Sequence, residues 1–357
     1  MDSELKLAPI DDQGTVLAYQ DSGPPSTGTY ATYVLIHGYS FHSGIFGRLI
    51  PLANDANVRL VCLNRRGFAK STPLREGEFE FLCRPNNDNI DIAAHQGFVR
   101  ARGSEIATFL HWFIRAEGLP PREGDAGGVT LVGWSFGNLN VIAFLANTST
   151  YQPAHRELIG RHLKEFVVWD PPHFTLGLKD PESSYHPTTD PDVPTDKRQA
   201  HFAQWISSFF PHSDEALATR DPVLLEYKRP NPSKASTLSR MPPETFKMLL
   251  DPRNDGKSEG PGVLGVYFPV LDEQVKKVFV ERVYAESWPG VKGRILWGTE
   301  SQWMVVYGAW YLEKLAKSAS LSAQTHAPIV SVPFSRVNHF PHWDDPETTL
   351  KALVASN

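Results

Sequence analysis

Short apolar runs rich in β-branched residues recur along the chain, each closed by Gly, Asn, Asp or a polar turn: TVLAYQDSG, TYVLIHG, VRLVCLN, VTLVGW, EFVVWD, RILWG and IVSVPF. Runs of this length and closure predict strands. Helical patterns lie between several of them. GSEIATFLHWFIRAEG puts Ile106, Phe109, Leu110 and Phe113 on one face, and NLNVIAFLANTS follows closely on VTLVGW. Strands apolar on both faces that alternate with helices predict a mostly parallel sheet covered on both sides, an α/β fold.

The rhythm breaks between Pro171 and Lys292, where no strand pattern occurs. Three helical stretches do occur there, DKRQAHFAQWISSFF, PETFKMLL and DEQVKKVFVERVYAE, the last with Val275, Val278, Phe279 and Val283 at helical spacing. We therefore expect a core of residues 1–170 and 293–357 and a mainly helical cap of residues 171–292. An insertion at this place would lie over the carboxyl ends of the strands, where open α/β sheets bind ligands. A packing accessory with no role at the site is the plainer alternative.

Composition agrees with a folded enzyme-sized chain. Of 357 residues, 41% are hydrophobic and 21% charged, and nine Trp with 20 Phe supply more aromatic surface than a disordered chain carries. A formal net charge of −5 and the absence of a long basic block argue against nucleic acid or an anionic membrane as partner. Two cysteines, Cys62 in an apolar run and Cys83 in a polar one, make neither a disulfide framework nor a zinc site. No basic and apolar leader opens the chain and no run is long enough to span a membrane, so a cytoplasmic location is expected.

The chemistry is expected at Gly133-Trp134-Ser135-Phe136-Gly137, a G-x-S-x-G pattern with a strand before it and a helix after it. A serine at such a turn is held in strained backbone and presents its hydroxyl at a helix N-terminus, where the dipole favours negative charge. An N-capping serine is the bland alternative. A serine hydroxyl needs a base, and His339 follows the strand IVSVPF by a short loop. His342 is the nearest rival. Pro341 between the two histidines spoils helical presentation, no third ligand is evident, and no metal or cofactor is expected. The orienting acid should close a strand between serine and histidine. Asp170, ending EFVVWD, and Glu300, after RILWG, both qualify. For an oxyanion, the backbone amides of Phe136 and of Tyr39, after His37-Gly38, are the candidate donors.

With HGYS after one strand, NRRGFAKS after the next, GWSFG at the turn and NHFPHWDDPE near the end, the chain resembles the α/β-hydrolase superfamily over nearly its whole length. The resemblance implies an eight-stranded, mostly parallel sheet with a helical cap inserted after the sixth strand. The family's D-x-R-G-x-G-x-S stretch reads here with Asn64 for aspartate and Ala69 for glycine. More narrowly, EFVVWDPPHF, HFAQWISSFF and NHFPHWDDP resemble the cofactor-free 3-hydroxy-4-oxoquinoline 2,4-dioxygenases. That resemblance implies Asp170 rather than Glu300 as the acid and Trp205 as a pocket residue. Where those enzymes carry a histidine after the HGW element, this chain has Phe41, with His42 one further on, and both are candidate substrate contacts.

The expected function is hydrolysis of a small hydrophobic ester or lactone by Ser135, His339 and Asp170. Cofactor-independent oxygenation of a hydroxylated N-heteroaromatic by the His–Asp pair, or a lyase reaction on the same residues, is the alternative. The expected partner is a small hydrophobic or aromatic substrate. A binding protein on the same scaffold finds no support, since no catalytic position is missing.

Overall fold

The computed structural model describes residues 4–26, 28–78, 82, 90–250, 266–320 and 327–355. Cys83 and the part of the expected cap at 251–265 lie outside the described residues. The strands are β1 (Lys6–Pro9), β2 (Val16–Asp21), β3 (Ala31–Ile36), β4 (Val58–Leu63), β5 (Val129–Trp134), β6 (Leu163–Trp169), β7 (Lys292–Gly298) and β8 (Ile329–Phe334). They form one sheet in the order β1-β2-β4-β3-β5-β6-β7-β8. β1 pairs antiparallel with β2, and β2 antiparallel with β4, while the other pairs are parallel.

The helices are α1 (Ile92–Glu117), α2 (Gly137–Ala146), α3 (Pro153–His162), α4 (Arg198–Ile206), α5 (Asp214–Thr219), α6 (Thr237–Arg240), α7 (Pro243–Leu249), α8 (Phe268–Phe279), α9 (Tyr284–Ser287), α10 (Trp303–Ser320), α11 (Pro341–Asp344) and α12 (Pro346–Val354). α1 begins eleven residues before the pattern at Gly103, where Asp91 accepts from the Ala94 amide, and ends at Gly118 in the left-handed conformation (φ 58°).

Period-two alternation divides the core in two. Val34 and Ile36 of β3, Leu131 of β5 and Phe166 and Val168 of β6 pack with α1, α2, α8 and α10. Leu35, Val132, Trp134, Val167 and Trp169 turn to the other face and pack with the 3-10 turns Ser43–Phe46 and Ile50–Leu52 and with Leu350 and Leu353 of α12. Leu238, Met241, Leu249 and Phe340 join the same cluster above the ends of β5 and β6.

Among its described residues the segment between β6 and β7 carries the helices α4 to α9, joined by long loops, and no strand. By packing it divides in two. α4, α6 and α7 border a cavity above the strand ends. α8 instead lies against α2 and α10 beside the sheet, with Val275, Val278 and Phe279 in the main core. Among the described residues no helix is long and apolar enough to cross a membrane.

Candidate active site

Trp134 and Trp169 are register partners at the ends of β5 and β6, so Ser135 and Asp170 leave adjacent strands at the same height. Both sit in left-handed backbone, with φ of 55° and 49°. The Ser135 amide still donates to the Trp169 carbonyl at 2.9 Å, and the Asp170 amide to the Leu296 carbonyl at 2.8 Å. Strain of this kind persists only where the surroundings over-determine it, and here they do. A methyl group on Gly137 would lie 2.3 Å from the Ile36 carbonyl oxygen, one on Gly133 2.8 Å from Val141, and one on Gly38 2.9 Å from the Ser135 Cβ.

Three side chains stand in line. The Ser135 hydroxyl lies 2.9 Å from His339 Nε2 and donates to it, and the His339 Nδ1–H donates to Asp170 Oδ2 at 2.8 Å. Asp170 is fully buried, and His339 and Ser135 are nearly so. The Asp170 carboxylate also accepts from the Gly298 amide at 2.8 Å and the Ser301 hydroxyl at 3.0 Å. With those partners it is held as an acceptor, which fixes the imidazole with its Nδ1 protonated and its Nε2 open to the serine proton. Glu300 takes no part, because its carboxylate pairs with Lys234.

Several positioning residues carry no pattern visible in the sequence. Asn138 donates through Nδ2 to the Ser135 and Trp169 carbonyls at 2.7 and 2.8 Å, and its Oδ1 accepts from the Trp169 amide at 3.1 Å. It thereby ties the serine turn to the strand that ends at Asp170. The Trp134 ring lies against the His339 ring, centroids 4.9 Å apart, and its indole N–H donates to the His339 carbonyl at 3.0 Å. His342, the rival base, is buried among Phe46, Trp134 and Trp169, and burial holds its pKa well below the ordinary histidine value.

The loop carrying Tyr39 is fixed from below. Arg65 donates to the His37 and Gly38 carbonyls at 3.1 and 2.8 Å, and its guanidinium lies over the Phe136 ring at 4.8 Å. His37 is fully buried, and desolvation with the nearby Arg65 charge lowers its pKa well below the usual value. Its Nε2 accepts from the Arg65 amide at 3.1 Å, so it serves the loop as a neutral ring.

The cavity above Ser135 has a volume of about 550 Å³, within the range of small-molecule sites. Its walls are largely apolar and aromatic, with Phe41, Trp134, Phe202, Ile206, Phe246 and Phe340 beside Ser135, His339 and Tyr39. Phe41, a candidate substrate contact, is one of the lining residues. Two other expectations are corrected. Trp205 does not line the cavity, because on α4 it faces away with His201 and packs against Tyr185 and Phe210. His42 does not line it either, since Nδ1 accepts from the Gly44 amide at 3.0 Å and Nε2 donates to the Met248 carbonyl at 2.9 Å. Among the described residues no group of three or more His, Cys, Asp or Glu side chains is placed to hold a metal ion.

An eight-stranded, mostly parallel sheet with a strained serine at the end of its fifth strand defines an α/β-hydrolase fold. The chain matches the alpha/beta hydrolase family over residues 33–352 and belongs to it. Among solved structures it is similar to a bromoperoxidase from Bacillus anthracis (16% identity, 98% of each chain covered, TM-score 0.53). It is also similar to an esterase from Rhodococcus sp. (16% identity, 99% of this chain and 98% of that one, TM-score 0.50). No curated protein matches the chain.

Proposed function

We propose that the protein is a serine hydrolase acting on a small hydrophobic carboxylic ester or lactone. The observation that carries this reading is the hydrogen-bonded line from Ser135 through His339 to Asp170, opening on an apolar cavity. Ser135 Oγ attacks the carbonyl carbon as its proton passes to His339 Nε2, and Asp170 stabilises the imidazolium that forms. The amides of Phe136 and Tyr39 receive the oxyanion. His339 then protonates the departing alkoxide, leaving an acyl group on Ser135, and a water activated by the same imidazole releases the acid.

The test is hydrolysis of 4-nitrophenyl butyrate together with labelling by a fluorophosphonate. Ser135→Ala should abolish labelling and lower kcat by about 10⁴-fold or more. Activity within a few-fold of wild type would refute the reading. The oxygenase alternative has less support, because neither Trp205 nor His42 lines the cavity. Oxygen consumption with a hydroxyquinolone that is lost in His339→Ala but kept in Ser135→Ala would reverse that preference.

A further inference from the structure

The short turn that carries Tyr39 is strained at its centre. Ser40 has a φ of 67°, and the Phe41 amide folds back onto the Tyr39 carbonyl at 2.8 Å. A non-glycine residue held there needs restraint from outside the turn. On one side that restraint is Arg65, through the His37 and Gly38 carbonyls. On the other side it comes from the cavity roof. Phe41 forms an isolated β-bridge with Leu250, its ring meets that of Phe246 at 6.0 Å, and the His42 amide donates to the Leu249 carbonyl at 3.2 Å. The His42 ring completes the join by donating to Met248 from a position 206 residues away in the chain. Phe246 and Leu250 are themselves cavity walls.

We infer that His42 is a positioning residue that couples the roof to the oxyanion turn, so that an acyl group pressing on Phe246 and Leu250 sets turnover as well as affinity. This rests on the hydrolase reading for its catalytic consequence, but the coupling itself is a property of the fold. One side chain spans both parts: Nδ1 caps the 3-10 turn Ser43–Phe46 while Nε2 holds the end of α7. A short acyl group that leaves the roof wall empty would use the turn without the added restraint. A longer one that fills the wall would hold Tyr39 more firmly where charge develops, an interaction strengthened in the transition state and therefore read in kcat.

His42→Asn separates the two jobs, since asparagine can still cap the turn but is too short to reach Met248. Amide hydrogen exchange on the full chain is the first readout. Segments 39–46 and 243–250 should both exchange about five-fold faster or more, while α2 keeps its wild-type protection. Phe246→Ala, made in the roof, should loosen segment 39–46 in the same way. If either variant loosens its own segment alone, or neither segment changes, the coupling is refuted. The second readout is kcat for 4-nitrophenyl hexanoate relative to acetate, which should fall about five-fold in His42→Asn. An unchanged ratio refutes the catalytic consequence. A wild-type chain that hydrolyses neither ester refutes the hydrolase reading instead, and hydrogen exchange still decides on His42.

Discussion

Around Ser135 one added methyl group at Gly38, Gly133 or Gly137 would meet another atom within 3 Å, whereas the roof over the same cavity is tied to the body at a few loops. Asn338, next to His339, donates to the Ser207 carbonyl at 2.7 Å and to the Thr237 hydroxyl at 2.8 Å. The Phe210 amide donates to the Glu300 carbonyl at 2.8 Å, and His42 holds Met248. The serine turn is fixed by exclusion, with no space for alternatives. The roof is fixed by separate polar ties of this kind together with Trp205 in the main core and Leu238, Met241 and Leu249 in the second cluster. The first arrangement suits a reacting atom, and the second suits a surface that sorts substrates.

The contrast breaks most visibly at Gly137. Gly137→Ala should cost about 3 kcal/mol or more, since overpacking against backbone cannot relax by side-chain rotation; a small shift in the urea midpoint would show that the turn has slack. Asn138→Ala comes next. It strips the Ser135 and Trp169 carbonyls of a side-chain donor and the Trp169 amide of a side-chain acceptor, for an expected loss of about 1–3 kcal/mol in chemical denaturation. A kcat reduced about ten-fold with KM unchanged would mark a role in aligning serine and acid.

Beneath the turn, His342 allows a pH experiment. Neither of its ring nitrogens has a hydrogen-bond partner among the described residues, and its lowered pKa keeps the ring neutral in the folded chain while the unfolded chain takes up a proton. Stability is therefore indifferent to this group well above the ordinary histidine pKa of about 6.5 and falls as the pH drops below it. His342→Leu should flatten the stability profile on the acid side of about pH 6.5, leaving the similar contribution of His37 in place. A profile parallel to wild type would mean that the ring is protonated in the native state. The smallest effect belongs to the roof: Phe202→Ala should raise KM for a hydrophobic ester roughly five-fold by removing apolar contact while kcat holds.

What could be read in the chain divides along similar lines. β3 to β7 are apolar runs buried on both faces, β8 is an apolar run at the sheet edge with one buried position, and the serine turn has its own glycine spacing, so all of these stand out in sequence. β1 does not. Lys6–Pro9 is four residues at an edge with one buried position, too short for any period to register. The first half of α1, from Ile92 to Arg102, lacks a continuous apolar stripe, and its start depends on the Asp91 cap. That His339 meets Asp170, and that the Glu300 carboxylate is taken by Lys234, depends on partners brought together from distant parts of the chain. Trp205 was misplaced for a geometric reason: on α4, Gln199, Phe202, Ala203 and Ile206 share the cavity face, and a residue one step from 206 turns about 100° away. The sequence places Trp205 on the helix without saying which way the helix is rotated.

The pairing of Trp134 with Trp169 makes the sheet a ruler for the chemistry. Ser135 and Asp170 are set one inter-strand spacing apart, about 4.8 Å, and at the same level, before any side chain is placed. A slip of one residue between β5 and β6 would send Ser135 and Asp170 to opposite faces. The gap that a single imidazole must fill is thus measured by backbone hydrogen bonds, and changes deep in the β5–β6 interface should be felt at the serine without touching it.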